Sequence, residues 1–239
     1  MNYIAIVAVV SAFIVKGMCG FANTLIFSTV MSFSTDNIMI SPIELLVGYP
    51  SNLIIAWKER KYIAASVALP LCIMVIVGSI PGILFLKKGD TAIVKLLFGV
   101  VVVVIGIEML YREYKNSTKE ANQWVLLCIG ILSGFLCGLF GIGALLAAYV
   151  GRTTKNSKEF RGNICIVFIV ENTFRIIMYF FTGILNLALC KQALFLLPGM
   201  LAGLGVGLLL GRILKEGVVK KIVIVMLIIS GVSLIYTKR

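Results

Sequence analysis

The sequence predicts an all-α polytopic membrane protein made of two inverted repeats, each a glycine-broken (re-entrant) helical hairpin plus three transmembrane helices. Three observations lead there. The 239-residue chain is 60% hydrophobic and 13% charged, with a mean hydropathy of +1.07, whereas a soluble domain carries about 45–50% apolar and about 25% charged residues. A glycine-broken apolar segment occurs once in each half. The first contains Lys16-Gly17-Met18-Cys19-Gly20-Phe21-Ala22-Asn23-Thr24, and the second is Leu132–Val150 with glycines at 134, 138, 141 and 143. Finally, the basic residues favour one membrane face only if those segments turn back inside the bilayer.

In chain order, the broken segment Tyr3–Phe33 is followed by the spans Ile40–Trp57, Ala64–Leu86 and Thr91–Tyr111. The polar linker Arg112–Gln123 then joins a first repeat, residues 1–115, to a second, residues 116–239. The second repeat holds the broken segment Trp124–Val150 and the spans Gly162–Thr182, Leu189–Gly211 and Gly217–Tyr236. Each span has near the ~20 residues that a bilayer core requires. Backbone in lipid must satisfy its own hydrogen bonds, so helices are expected. The alternating ~10-residue segments of a β-barrel are absent. Met1–Val15 lacks a basic leader region and does not read as a cleaved signal peptide.

The halves match at several points. A shift of 121 sets Gly17 on Gly138 and Gly20 on Gly141. A shift of 125 sets Val94-Lys95, Gly106 and Tyr111 on Val219-Lys220, Gly231 and Tyr236. Asn52 corresponds to Asn172, and Leu69-Pro70 to Leu197-Pro198.

Charge selects between parallel and inverted repeats. Eight simple spans would be parallel, with nine Lys/Arg on one face and eleven on the other, which chooses no side. If each broken segment leaves on the face it entered, loops 58–61, 112–120, 152–161 and 212–221 share one face with 14 Lys/Arg, against six opposite. The positive-inside rule then makes that face cytoplasmic and both termini external. The arms Tyr3–Lys16 and Trp124–Cys137 reach about 20 Å into the membrane at ~1.5 Å per residue.

The net charge of +12 is therefore loop charge. No basic face with interleaved aromatics supports nucleic-acid binding. The chain has no histidine, and its six cysteines, at 19, 72, 128, 137, 165 and 190, form no C-x-x-C. They read as small hydrophobes. No enzyme, cofactor or metal centre is expected. The expected location is a prokaryotic inner or plasma membrane. Expected partners are the bilayer and a small anion, and the oligomeric state stays open, with a homodimer among the options.

The anion follows from the polar residues inside the apolar segments. A glycine-broken segment in each half is the mark of a transporter's midplane site. If the backbone turns at Gly17–Gly20 and Gly138–Gly143, the return arms start inside the membrane, and their N-termini offer N–H groups and positive dipole ends. Gly20, Gly141 and Gly143 would supply amides, and Asn23 and Thr24 further donors. The competing reading is close helix packing, because Gly134, Gly138 and Gly207, Gly211 have small-x-x-x-small spacing. Arg175 lies within a span, where a guanidinium costs ~2.5–3.5 kcal/mol to insert and marks a functional position. It can donate paired N–H groups to an oxyanion or form an ion pair with Glu171, four residues earlier on the same face. Lys16 adjoins the first break and adds positive potential. Asn52 and Asn172 could bind substrate or cap a broken helix. Glu171 is the coupling candidate. Glu44 and Glu108 lie near span ends and read as interfacial. Pro42, Pro50 and Pro81 could kink their helices.

The residues also resemble the sulfite exporter TauE/SafE family, the toluene-sulfonate uptake permeases. Its glycine-rich element is similar to Gly141-Ile142-Gly143-Ala144-Leu145. Lys158-Glu159-Phe160-Arg161-Gly162-Asn163, Glu171-Asn172-Thr173-Phe174-Arg175, Tyr179, Gly183-Ile184-Leu185 and Leu197-Pro198-Gly199 with Gly203, Gly205, Gly207 and Gly211 resemble the family's second half. Ala144 and Leu145 stand where glycines are usual, and Gly20-Phe21-Ala22-Asn23-Thr24 keeps one glycine of the pattern. The resemblance implies secondary transport of sulfite, sulfonates or related anions. The absence of a G-x-x-x-x-G-K-[ST] phosphate loop agrees with transport without ATP. The expected mechanism is alternating access about the midplane site. A passive anion channel and a non-transporting scaffold are the alternatives.

Overall fold

The computed structural model describes residues 3–31, 37–88, 96, 99–100, 103–104, 106–107, 110–111, 123–141, 143–154, 156–214, 218, 221, 224–225, 228–229, 231–232 and 235. Among them, every regular element is helical. The elements are α1 (Tyr3–Cys19), α2 (Asn23–Met31), α3 (Asn37–Lys58), α4 (Ala65–Lys88), α5 (Gln123–Phe140), α6 (Ala144–Thr153), α7 (Ser157–Phe181) and α8 (Leu187–Ile213). A single 3₁₀ turn, Arg60–Tyr62, links α3 to α4. The described residues between 96 and 111, and between 218 and 235, are helical too. Most of the spans Thr91–Tyr111 and Gly217–Tyr236, Glu108, and the boundary at residues 115 and 116 lie outside the described residues.

Among the described residues, four helices are long and apolar enough to cross a membrane: Met39–Lys58 in α3, Ala65–Phe85 in α4, and all of α7 and α8. They match the expected spans within a few residues. The largest difference is α7, which starts at Ser157 rather than Gly162. Asn156 explains it: its side-chain oxygen accepts from the backbone N–H of Lys158 at 3.1 Å and Glu159 at 2.9 Å. That cap carries the helix through a charged stretch that hydropathy leaves in the loop. Asn186 likewise caps α8, accepting from Leu189 N–H at 2.9 Å. The helices run through Pro42, Pro50, Pro70, Pro81 and Pro198 without ending.

Both glycine-broken segments are broken. Gly20 has φ +88° and Gly141 φ +71°, which places the same backbone turn 121 residues apart. Left-handed backbone suits glycine, which has no Cβ to clash. Ala22 adopts φ +71° despite its methyl group. Gly17 and Gly138, by contrast, lie inside helices and let neighbours approach. A Cβ on Gly17 would sit 2.7 Å from the Leu204 carbonyl oxygen, and one on Gly138 would sit 2.5 Å from that of Ser79. The glycines therefore divide by position: those at the breaks turn the chain, and those before them seat it against a partner.

The packing exchanges between halves. Helix α1 lies against α8 and α5 against α4, while α3 meets both α7 and α8, and α4 also meets α7. Gly199, Gly203, Gly207 and Gly211 of α8 face α1, and Gly78 and Gly82 of α4 face α5. Gly99 and Gly231 are also mutually apposed: a Cβ on Gly99 would lie 2.8 Å from the Gly231 carbonyl oxygen. Residues 15–27 are buried without interruption. Leu69, Ile73, Val77, Ile80 and Leu84 form an exposed apolar stripe on α4, a surface suited to lipid.

Candidate functional site

The first break is tied to α7 by Arg161. Its Nη1 donates to the Met18 carbonyl at 3.4 Å, and its Nη2 donates to Glu59 Oε1 at 3.3 Å. A Cβ on Gly20 would meet Arg161 Cγ at 2.7 Å. Cys165 Sγ, one turn along α7, donates to the Gly20 carbonyl at 3.6 Å. Arg161 had been counted with the loop charges, but it is 9% exposed and lies inside α7.

The second break is tied to the same helix by Arg175. Its Nη1 donates to the Cys137 carbonyl at 2.6 Å, and its Nη2 to Asn172 Oδ1 at 3.4 Å. Its Nε lies 3.6 Å from Glu171 Oε1. The Cys137 carbonyl also accepts the Gly141 N–H at 2.7 Å. The guanidinium thus sits on the last turn of α5, at the negative end of the helix dipole, and shares the Cys137 carbonyl with Gly141. Arg175 and Glu171 are each 1% exposed. The structure makes the anticipated i,i+4 ion pair and gives Arg175 a positioning contact at the break.

Between the breaks lies a small, narrow cleft lined by Phe21, Ala22, Asn23, Thr24, Leu25, Gly143 and Phe168. Its walls are thus the break and first turn of α2, the residue before α6, and one ring from α7. Gly143 precedes α6 with no side-chain cap over the helix end. Two helix N-termini from different halves therefore face one small space, an arrangement that attracts an anion. Lys16 is 1% exposed, and its Nζ lies 5.8 Å from the centre of the Phe168 ring and 5.7 Å from that of Phe13. Among the described residues it has no ion-pair partner.

Of the expected site residues, Asn23, Thr24 and Gly143 line this cleft. Lys16 does not line it, but its Nζ lies over the Phe168 ring that does. Gly20 turns the chain before it. Gly141 lies against Arg175, and Asn172 and Glu171 accompany Arg175. Asn52 stands apart on α3, buried, with no hydrogen-bond partner for its Oδ1. Neither Asn52 nor Asn172 caps a helix; both lie within one.

Sequence reasoning missed Glu44. It was expected at the interface, yet it is 3% exposed, because α3 begins seven residues earlier, at Asn37. Its Oε1 accepts from Asn23 Nδ2, so this carboxylate touches a residue of the cleft. Its position within an apolar span was the signal that could have found it. Among the described residues, no cluster of His, Cys, Asp or Glu could hold a metal ion.

The model of the sulfite exporter TauE/SafE family matches residues 4–234. The chain belongs to this family. TauE/SafE proteins are a family of membrane sulfur-anion exporters. The family and the apolar helices together point to a multi-pass membrane protein. No curated protein and no solved structure gave a significant match.

Proposed function

We propose that the chain is a secondary transporter of small sulfur oxyanions or organosulfonates, sulfite among them, which it binds between the two chain breaks. The observation that carries this reading is the cleft itself: the α2 N-terminus with Asn23 and Thr24 on one side, Gly143 at the uncapped start of α6 on the other, and Phe168 under the Lys16 ammonium. Backbone N–H groups bind tetrahedral and pyramidal oxyanions without a net protein charge. Lys16 adds the long-range attraction. Arg175 acts by holding the end of α5 in place, and it becomes a direct ligand only if Glu171 releases it.

The two halves carry the mechanism. In this reading they are inverted repeats, residues 1–115 and 116–239, each with one re-entrant hairpin, and both termini are external. Because α1 packs on α8 and α5 on α4, each hairpin would move with helices of the other half, and rocking would open the cleft to one side at a time.

The test is uptake of labelled sulfite, thiosulfate and methanesulfonate into proteoliposomes, with Lys16→Gln beside the intact protein. Saturable flux that falls at least tenfold in the folded variant supports the reading. A complete lack of flux for all three anions, under both a pH gradient and a membrane potential, would overturn it.

A further inference from the structure

Six charged side chains are buried among the described residues: Lys16, Arg161 and Arg175 against Glu44, Glu59 and Glu171. Arg161 pairs with Glu59, and Arg175 with Glu171. Lys16 and Glu44 remain, without an ion-pair contact between them. The described interior is therefore charge-balanced before any substrate enters. An anion added to it leaves an excess negative charge in a medium that solvates charge poorly. For a monoanion such as methanesulfonate, one proton on a carboxylate removes that excess.

The two candidate carboxylates near the cleft differ in what protonation would leave behind. Glu171 lies 3.6 Å from the Arg175 guanidinium. Neutralising it would leave without a counter-charge a buried group that stays charged at any physiological pH. Glu44 accepts from two neutral groups, the Asn23 Nδ2 amide and the Thr24 side chain. The groups that face it are Lys16 of α1, Asn23 and Thr24 of α2, Cys137 of α5, and Glu171, Arg175 and Tyr179 of α7. None of these is a cation in contact with its carboxylate. Gly48 leaves room for the pairing: a Cβ there would lie 2.9 Å from Glu44 Oε1 and 3.4 Å from Asn23 Nδ2.

We infer that Glu44 is the proton-carrying group of the transport cycle and that Asn23 links it to the anion. This rests on the anion-carrier reading above. An ionised Glu44 holds the Asn23 amide as an acceptor. Protonation removes the charge from Glu44 and leaves its oxygens weaker acceptors, so the amide N–H is freed to turn to the cleft that Asn23 lines. Proton and anion then bind together, and the anion moves with a proton in the same direction.

The experiment uses the full chain in proteoliposomes with a trapped pH dye. Labelled methanesulfonate and thiosulfate are the probes, because both are anions of strong acids and any proton that moves is carried by the protein. The intact protein should accumulate anion when the outside is acidic, and the lumen should acidify as anion enters. Glu44→Gln should still exchange labelled for unlabelled anion, with a flat pH profile, no gradient-driven accumulation and no acidification. Glu44→Asp, which keeps the carboxylate, should restore all three. On the intact protein, dicyclohexylcarbodiimide, which adds to protonated carboxyl groups, should label Glu44 more when methanesulfonate is present, as mapped by mass spectrometry. Coupled acidification that survives in Glu44→Gln, or anion-dependent label on Glu171 alone, would overturn the inference and leave the carrier intact. Loss of all flux in the intact protein would overturn the carrier reading and this one with it.

Discussion

Gly141 lies directly against Arg175: a Cβ on the glycine would sit 2.6 Å from Nη1 and 2.8 Å from Nη2. The same glycine turns at φ +71°, so one position serves both the turn and the guanidinium. Replacing it with alanine imposes two penalties. A side chain in the left-handed region costs about 1–2 kcal/mol, and the methyl group pushes the arginine off the Cys137 carbonyl. Gly141→Ala should lower the thermal unfolding midpoint in detergent and abolish anion uptake.

The ion pair on α7 predicts a partial rescue. Removing Arg175 leaves Glu171 charged and alone at 1% exposure, and breaking a buried pair in this way costs about 3–5 kcal/mol. Arg175→Gln should therefore be strongly destabilised. Adding Glu171→Gln removes the stranded charge and should recover more than half of the lost stability. Transport should not return, because the α5 end still lacks its guanidinium. Unfolding midpoints of the four proteins in a double-mutant cycle, with uptake measured alongside, check both statements.

Much of this was legible in the sequence, and the reason differs by residue. Gly20 and Gly141 could be aligned at a shift of 121 because a turn with positive φ admits few residues other than glycine. Gly17 and Gly138 obey the same shift, but one letter serves two purposes: they seat helices rather than break them. Only coordinates separate those roles. The four long spans were legible from hydropathy, since lipid leaves helices few alternatives. Arg161 and Glu44 were misplaced for one shared reason. Both were judged by distance from an apolar stretch's end, while the helices extend past those ends through the Asn156 cap and the Asn37 start. The cleft itself was legible only as two separate helix N-termini. That they converge depends on α1 pairing with α8 and α5 with α4, and no local pattern encodes such an exchange.

The glycine stripe of α8 predicts a contrast between neighbouring positions. Gly203 faces α1, where a Cβ would lie 2.5 Å from the Val10 carbonyl oxygen, whereas Gly205 has nothing within 4 Å. Gly203→Ala must separate two helix backbones and should destabilise the protein by about 1–3 kcal/mol, the usual penalty for overpacking. Gly205→Ala meets no obstacle, and alanine is the better helix former by about 1 kcal/mol. It should keep or raise stability and leave uptake unchanged. Thermal unfolding of the two variants in the same detergent distinguishes them. Equal losses would mean that the α1–α8 contact does not set stability.

The inverted arrangement makes a prediction about sidedness that simple crossing does not. If the segments containing α1–α2 and α5–α6 each return to the face they entered, the α3–α4 turn and the start of α7 share one face. If all segments cross, these two points lie on opposite faces. Arg60 and Lys158 are exposed at those points, and Leu187 is exposed at the start of α8. Single cysteines at the three positions, in a background lacking the six native cysteines, report the arrangement through a membrane-impermeant maleimide. Inverted repeats require Arg60→Cys and Lys158→Cys to react from the cytoplasmic side and Leu187→Cys from outside. Labelling of Arg60→Cys and Leu187→Cys together, with Lys158→Cys opposite, would instead mean that each broken segment spans the bilayer. The two chain breaks would then enter the cleft from parallel halves.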